Sequence, residues 1–151
     1  MRYEDDKSFT PITIDSVIPT EEDRLLFKDI EDKIFNFSVK LLNTAQYIKN
    51  TRKLNLRIST IESLTAGLIM SSLVNVAFGG EFKYGGFTVY NTDAKRVFAG
   101  VNVLELYSHK CAKEMAVGLL KNSNSNFAIS VSGNAMPYPE ELERLGEVFF
   151  G

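Results

Sequence analysis

The change of hydrophobic period at Leu54 constrains this chain more than any other feature. Upstream of it, Leu26, Ile30, Ile34, Phe37, Leu41, Ala45 and Ile48 step by three or four residues, the spacing of one continuous buried helical stripe. Thr20 followed by Glu21, Glu22 and Asp23 offers a hydroxyl cap and acidic residues for the positive end of a helix dipole, so this helix is predicted to start there and to end near Asn50. From Leu54 the apolar positions alternate, with Leu56, Ile58 and Thr60 set against Asn55, Arg57 and Ser59, which predicts a strand. The helical period then returns from Thr65 to Ala77, with Leu68, Ile69, Ser72, Leu73 and Val76 on one side and the pair Gly79-Gly80 to end it.

The same alternation continues to the end of the sequence. Gly85 to Asn91 predicts a second strand, after which Thr92 can cap a short helix that carries Lys95 and closes at Gly100. Ser108 can cap another helix with Ala112, Met115, Ala116, Leu119 and Leu120 on its inner side, followed by the loop NSNSN at 122–126. Phe127 to Ser132 and Glu147 to Phe150 predict a third and a fourth strand. Strands alternating with helices predict an α/β fold: a three-layer α/β/α sandwich around a mostly parallel or mixed sheet, preceded by the long N-terminal helix. Residues 1–19 mix charges with two prolines and show no period, so they are expected to be a tail in front of one α/β domain at 20–151.

Composition narrows the function classes. A chain of 151 residues with 44% hydrophobic content suits a single core that buries roughly two-thirds of the unfolded surface. With 17 basic against 19 acidic residues and a net charge of -2, the sequence lacks the electrostatic footprint of a nucleic-acid or anionic-membrane binder. No apolar run approaches the ~20 residues that cross a bilayer, and MRYEDDKSF is polar where a signal peptide has its apolar segment; a cytoplasmic location is expected. Cys111 is the single cysteine and His109 the single histidine, so neither an internal disulfide nor a zinc site of the usual Cys/His spacing can form. No acidic loop has calcium-ligand spacing, and no metal or cofactor is expected.

In sheets of this kind ligands bind beyond the carboxyl ends of the strands, where Ser63, Asn91 and Ser132 fall. A serine between a strand and a helix has the backbone N–H groups of the helix start close to whatever its oxygen attacks. Serine is a poor nucleophile without a base, and Lys95, desolvated in a pocket, can lose its proton and accept one from a hydroxyl. Each group also has a plainer reading. Ser63 can be a helix cap, Lys95 a solvated helix lysine and Tyr90 a core aromatic, and spacing alone does not choose between these.

Four segments, IESLTAG at 61–67, GGFTVYNTDAK at 85–95, CAKEMAVG at 111–118 and SVSGNAMP at 130–137, resemble the C-terminal domain of the CinA family of nicotinamide mononucleotide amidases over about residues 40–151. The family pattern runs approximately AESCTGG, GGxVxYxNxxK, VAxxMAxG and (S/T)GxAGP, with the serine-to-lysine interval matched without a gap. The resemblance implies an amidohydrolase that converts nicotinamide mononucleotide to nicotinate mononucleotide and ammonia without a metal. Ser63 would be the nucleophile and Lys95, relayed by Tyr90, the base. Thr65, Gly67, Ser132 and Gly133 would contact substrate, and Glu62 would support the site or serve a structural hydrogen bond. A homodimer or higher homo-oligomer is implied too. The sequence departs from the pattern at Leu64, Ala66 and Met136, carries the acidic YPEELER segment with Glu140, Glu141 and Glu143, and ends before a family arginine. Those departures imply an alternative, a catalytically degenerate nucleotide-binding or regulatory module.

Overall fold

The structure, a computed structural model, describes residues 20–135 and 139–151, the second stretch with side chains from Leu142 onward. The expected tail at 1–19 and the position of Met136 therefore lie outside the described residues. The elements run α1 (Glu21–Arg52), β1 (Ile58–Glu62), α2 (Leu68–Asn75), β2 (Lys83–Thr88), α3 (Thr92–Ala99), α4 (His109–Lys121), β3 (Phe127–Gly133) and β4 (Val148–Phe150), with 3-10 turns at Gly80–Phe82 and Pro139–Arg144. The sheet order is β2-β1-β3-β4; β1 is parallel to both of its neighbours and β4 is antiparallel to β3. The predicted α/β fold with a mixed sheet and a long leading helix is what forms. Among the described residues no helix is long and apolar enough to cross a membrane.

Strand β1 is central, and all five of its residues are buried. Successive side chains point to opposite faces. Ile58 joins Leu42, Ala45, Leu73, Val76 and Phe82 in one apolar cluster, while Ile61 joins Val89, Val101, Met115 and Leu119 in another. One cluster is closed by α1 and α2, the other by α3 and α4, which gives the two covering layers. Helices α3 and α4 approach so closely that a Cβ added at Gly118 would sit 1.8 Å from the Ala99 carbonyl oxygen.

The described residues divide into two compact units within α1, after Lys33. In the first, Thr20 caps the helix as predicted. Its hydroxyl accepts from Asp23 N–H at 3.1 Å, and Asp23 returns a bond to Thr20 N–H at 2.9 Å. Leu26 and Ile30 remain 56% and 40% exposed in this unit, against the expected buried stripe. In the second unit α1 buries Ser38, Leu42 and Ala45, while Phe37 is 68% exposed. With Ala45 buried and Ile34, Leu41 and Ile48 half-buried, most of the predicted line is kept in this unit, and it departs only where Ser38 turns inward in place of Phe37. Ser38 can enter the core because its hydroxyl donates to Ile34 O at 2.9 Å inside the helix.

Boundaries shift where side chains compete with the sheet ladder. β1 begins at Ile58 rather than Leu54, because Asn126 holds the preceding segment with its side chain, accepting from Arg57 N–H at 2.7 Å and donating to Asn55 O at 2.9 Å. Asn91, not Thr92, caps α3, its side-chain oxygen accepting from Asp93 N–H at 2.7 Å. Ser108 caps α4 as predicted, accepting from Cys111 N–H at 3.1 Å. Helix α2 starts at Leu68, three residues later than predicted, and its C-cap is Val76, ahead of the glycine pair. Gly118→Ala is expected to destabilise the protein by about 1–3 kcal/mol, the usual cost of overpacking, read as a lower urea midpoint at unchanged slope.

Candidate functional site

The chain leaves the central strand at Ser63. The backbone pairing runs on by one step there, with Ser63 N–H donating to Val131 O at 3.0 Å and Val89 N–H donating to Glu62 O at 2.8 Å. A tight turn then connects to α2 with two consecutive left-handed residues, Ala66 at φ 52° and Gly67 at φ 97°. Gly67 is the N-cap of α2 and no side chain caps it from that position. Ser63 therefore does not cap the helix, and its hydroxyl makes no hydrogen bond among the described residues. That removes the plainer reading of this serine.

The role of cap falls to Glu62, which is fully buried. Its carboxylate accepts from Ile69 N–H and Met70 N–H, both at 3.0 Å, and from the Thr65 hydroxyl at 2.8 Å. The structural hydrogen bond expected for Glu62 is thus present in triplicate. Ala66 and Leu68 N–H are taken within the turn by Ser63 O and Thr65 O. The N–H groups of Leu64, Thr65 and Gly67 have no partner among the described residues, so the turn retains donors for an incoming oxygen.

Lys95 enters from α3 and is only 3% exposed. Its Nζ donates to the carbonyl oxygen of Tyr90 at 3.0 Å, and no carboxylate among the described residues lies within ion-pair distance. Burial without a counter-ion pushes the Lys95 ammonium below its ordinary pKa, because the charged form loses its hydration. Cys111, buried nearby as predicted, is shifted the other way by the same cause, so the thiol stays protonated. Lys95 is not a solvated helix lysine. Nor is Tyr90 a core aromatic, since it is 60% exposed and touches Lys95 through its backbone carbonyl, not its hydroxyl.

Ser63 and Lys95 open into one cavity of about 100 Å³, lined also by Leu64, Tyr90, Tyr107, Gly133, Asn134 and Ala135. Four of the predicted residues, Ser63, Lys95, Tyr90 and Gly133, therefore come together. Three do not line this cavity. The Thr65 hydroxyl is committed to Glu62, and Gly67 faces a separate hollow beside β2. Ser132 is fully buried and donates to Leu106 O at 3.0 Å, which ties β3 to the loop before α4. Ser132 lies on the same face of the sheet as Ser63, since Ser130 pairs with Ile61, but its hydroxyl is spent on the loop before α4.

Asn134 and Tyr107 were not among the predicted site residues. Asn134 is 1% exposed and lies just past β3, where its backbone N–H donates to Glu147 O at 3.1 Å and its O accepts from Gly146 N–H at 2.8 Å. Its position beyond the carboxyl end of a strand was a usable signal. Tyr107 sits in an aperiodic loop that carries none. Arg144 holds it, donating to Tyr107 O at 2.6 Å and standing 5.5 Å over the ring. The guanidinium is also paired with Glu105 at 3.2 Å and Glu147 at 2.8 Å, so its charge is matched by two carboxylates. Those partners hold the Arg144 pKa above its ordinary value.

Comparison with known proteins gives a consistent picture. Residues 42–151 match the sequence profile described as the CinA C-terminal domain. A Mycoplasma pneumoniae protein is 35% identical over 100 residues, 63% of this chain and 64% of its own length. A CinA-like protein of Pseudothermotoga lettingae is 38% identical over 109 residues, 68% of this chain but 27% of that protein. The chain thus spans just under two thirds of one curated relative and about a quarter of the other. Among solved structures, competence/damage inducible protein CihA from Agrobacterium tumefaciens superposes with a TM-score of 0.60 at 33% identity, covering 70% of this chain and 63% of that one. Competence damage-inducible protein A from Klebsiella pneumoniae superposes at 0.65 with 27% identity, covering 78% and 73%.

Ala66 is the strained residue of the turn. Holding an L-residue left-handed costs about 1–2 kcal/mol, and glycine would return about 0.4–1 kcal/mol of that through the unfolded chain's entropy. Ala66→Gly is accordingly expected to stabilise the protein by about 0.5–1 kcal/mol net, measured by urea denaturation.

Proposed function

This chain belongs to the CinA C-terminal domain family, and from that premise we propose that it is a serine–lysine amidohydrolase that converts nicotinamide mononucleotide to nicotinate mononucleotide and ammonia. The observation that carries the reading is Lys95: a buried lysine without a carboxylate partner among the described residues, opening into the same cavity as an uncommitted serine hydroxyl. A lysine held that way favours its neutral amine, which is the form that can accept a proton. The two groups share the cavity without a direct hydrogen bond, and such contacts often tighten only when substrate is bound.

In the proposed reaction Lys95 Nζ takes the proton of Ser63 Oγ as the oxygen bonds to the carboxamide carbon. The developing oxyanion is met by the free N–H of Leu64, which lines the cavity. Collapse breaks the carbon–nitrogen bond, and Lys95 returns the proton to the departing ammonia. Water then attacks the Ser63 ester, its proton passes through Lys95 back to Ser63 Oγ, and the carboxylate product leaves. Tyr90 contributes its carbonyl, which binds one N–H of the amine and leaves the lone pair for the proton, while its ring walls the cavity.

Two observations favour a second reading, a relative that binds a pyridine nucleotide without turnover. The cavity is about 100 Å³, below the roughly 300–1,000 Å³ usual for a whole ligand. Arg144, a cation beside it, is already matched by Glu105 and Glu147. Ammonia release decides between the two. Wild type is expected to release it from nicotinamide mononucleotide, and Ser63→Ala and Lys95→Met to release none; calorimetric binding without ammonia would establish the second reading instead.

The pH dependence has a definite sign. The base is the neutral lysine, so the rate is expected to rise with pH and level off at a midpoint below the ordinary 10.5. Because the folded state holds this proton less tightly than the unfolded chain, Lys95 also adds a stability that grows as pH rises from its lowered value towards 10.5. Lys95→Met is expected to remove that slope in denaturation measured across the alkaline range. Tyr90→Phe, which keeps the carbonyl, is expected to retain most of the rate.

A further inference from the structure

We infer that Glu62 is a positioning residue for the reaction, fixing Ser63 and the free turn amides through α2 rather than by touching substrate. The inference rests on the serine–lysine reading and adds a part to it. Glu62 is the last residue of the central strand, and its backbone is held on both sides, pairing with Thr88 on β2 and Val131 on β3. Its side chain reaches across the turn to Ile69 and Met70 in the first turn of α2 and to Thr65 within the turn itself. One fully buried carboxylate thus ties the end of the strand to the start of the helix, and Ser63 is the first residue of the span between them.

Three features make this more than a helix cap. First, the turn contains Ala66 and Gly67, both left-handed, and a strained segment keeps such angles only where its surroundings over-determine them. Secondly, all three partners donate to Glu62, so both oxygens must be acceptors. Glutamine, alike in size, would turn an NH₂ group towards one set of N–H donors. Thirdly, the carboxylate uses the amides of Ile69 and Met70 and leaves those of Leu64, Thr65 and Gly67. It therefore fills the helix N-terminus, where an anion would otherwise dock, and leaves the Leu64 amide open beside Ser63 in the cavity.

The consequence for the reaction is geometric. Misplacing a reacting group by about 1 Å costs on the order of 100-fold in rate even when binding is unaffected. The test compares wild type, Glu62→Gln and Leu42→Ala, the last a core substitution on α1 away from the cavity. Three quantities are measured: amide hydrogen exchange at Ile69 and Met70, the rate at which a fluorophosphonate labels Ser63, and kcat and KM for ammonia release. Glu62→Gln is expected to lose protection at Met70, which its NH₂ group would face while the remaining oxygen keeps Thr65 and Ile69, and to lower labelling and kcat together by about 100-fold with KM unchanged. Leu42→Ala is expected to lose at least as much thermal stability with labelling and kcat as in wild type.

Wild-type labelling and kcat in Glu62→Gln would overturn the inference, as would a loss no greater than that of Leu42→Ala. If Glu62→Gln does not fold, Thr65→Val removes one of the three donors; a smaller fall in kcat at constant KM supports the inference, and an unchanged kcat overturns it. A folded wild type that neither labels nor releases ammonia overturns the serine–lysine reading itself, an outcome distinct from an active wild type with an equally active Glu62→Gln.

Discussion

The fold of this domain turns on a carboxylate buried without a cation among the described residues. Leaving Glu62 unpaired at the centre of the sheet would cost several kcal/mol, and each orphan amide at the start of α2 about 1–3 kcal/mol more. The arrangement cancels both debts at once, because the groups that lack partners are complementary. Everything near the serine follows from it. α2 can begin without a conventional cap, the turn can be short enough to require two left-handed residues, and Ser63 can leave the strand with its hydroxyl uncommitted.

Lys95 is the opposite case, a buried ionisable group that is left short of charge partners. A structural lysine in this position would be expected to find a carboxylate. Instead the contact for Nζ is a carbonyl. Burial beside a carbonyl penalises the charged form of the amine. Glu62 and Lys95 are therefore treated in opposite ways: three donors meet the carboxylate, while burial lowers the lysine's pKa.

Much of the layout was legible in the sequence because it follows from period and turn chemistry. The change from a spacing of three or four to a spacing of two placed β1, α4 and β3, and the Ser108 cap was correctly read. What was not legible depended on contacts distant in sequence. On the later half of α1 the departure was Phe37 alone, because Phe37 and Ser38 both continue a helical line and only the layer beneath decides which one turns inward. Asn126 delayed the start of β1 from nearly seventy positions away, and no local pattern announces that. Within the site, Ser63 and Gly133 at the ends of strands were found, while the Ser132 hydroxyl is taken by Leu106, a contact that no local pattern announces. Tyr107 was invisible because its place is set by Arg144, across a loop with no period of its own.

The strict alternation along β1 has a consequence for how such a domain can diverge. Ile58, Thr60 and Glu62 face one layer and Ser59, Ile61 and Ser63 the other, so the buried carboxylate and the open serine hydroxyl are adjacent in sequence and opposite in space. Inserting or deleting one residue in this segment would exchange the two faces in a single event. The carboxylate would meet the apolar layer beneath α4, and the hydroxyl would be lost among the amides of α2. Gradual drift by substitution is open to this strand, but changes of length are not. Lineages that share the site must keep the count of residues from Ile58 to Ser63, whatever becomes of the loops on either side.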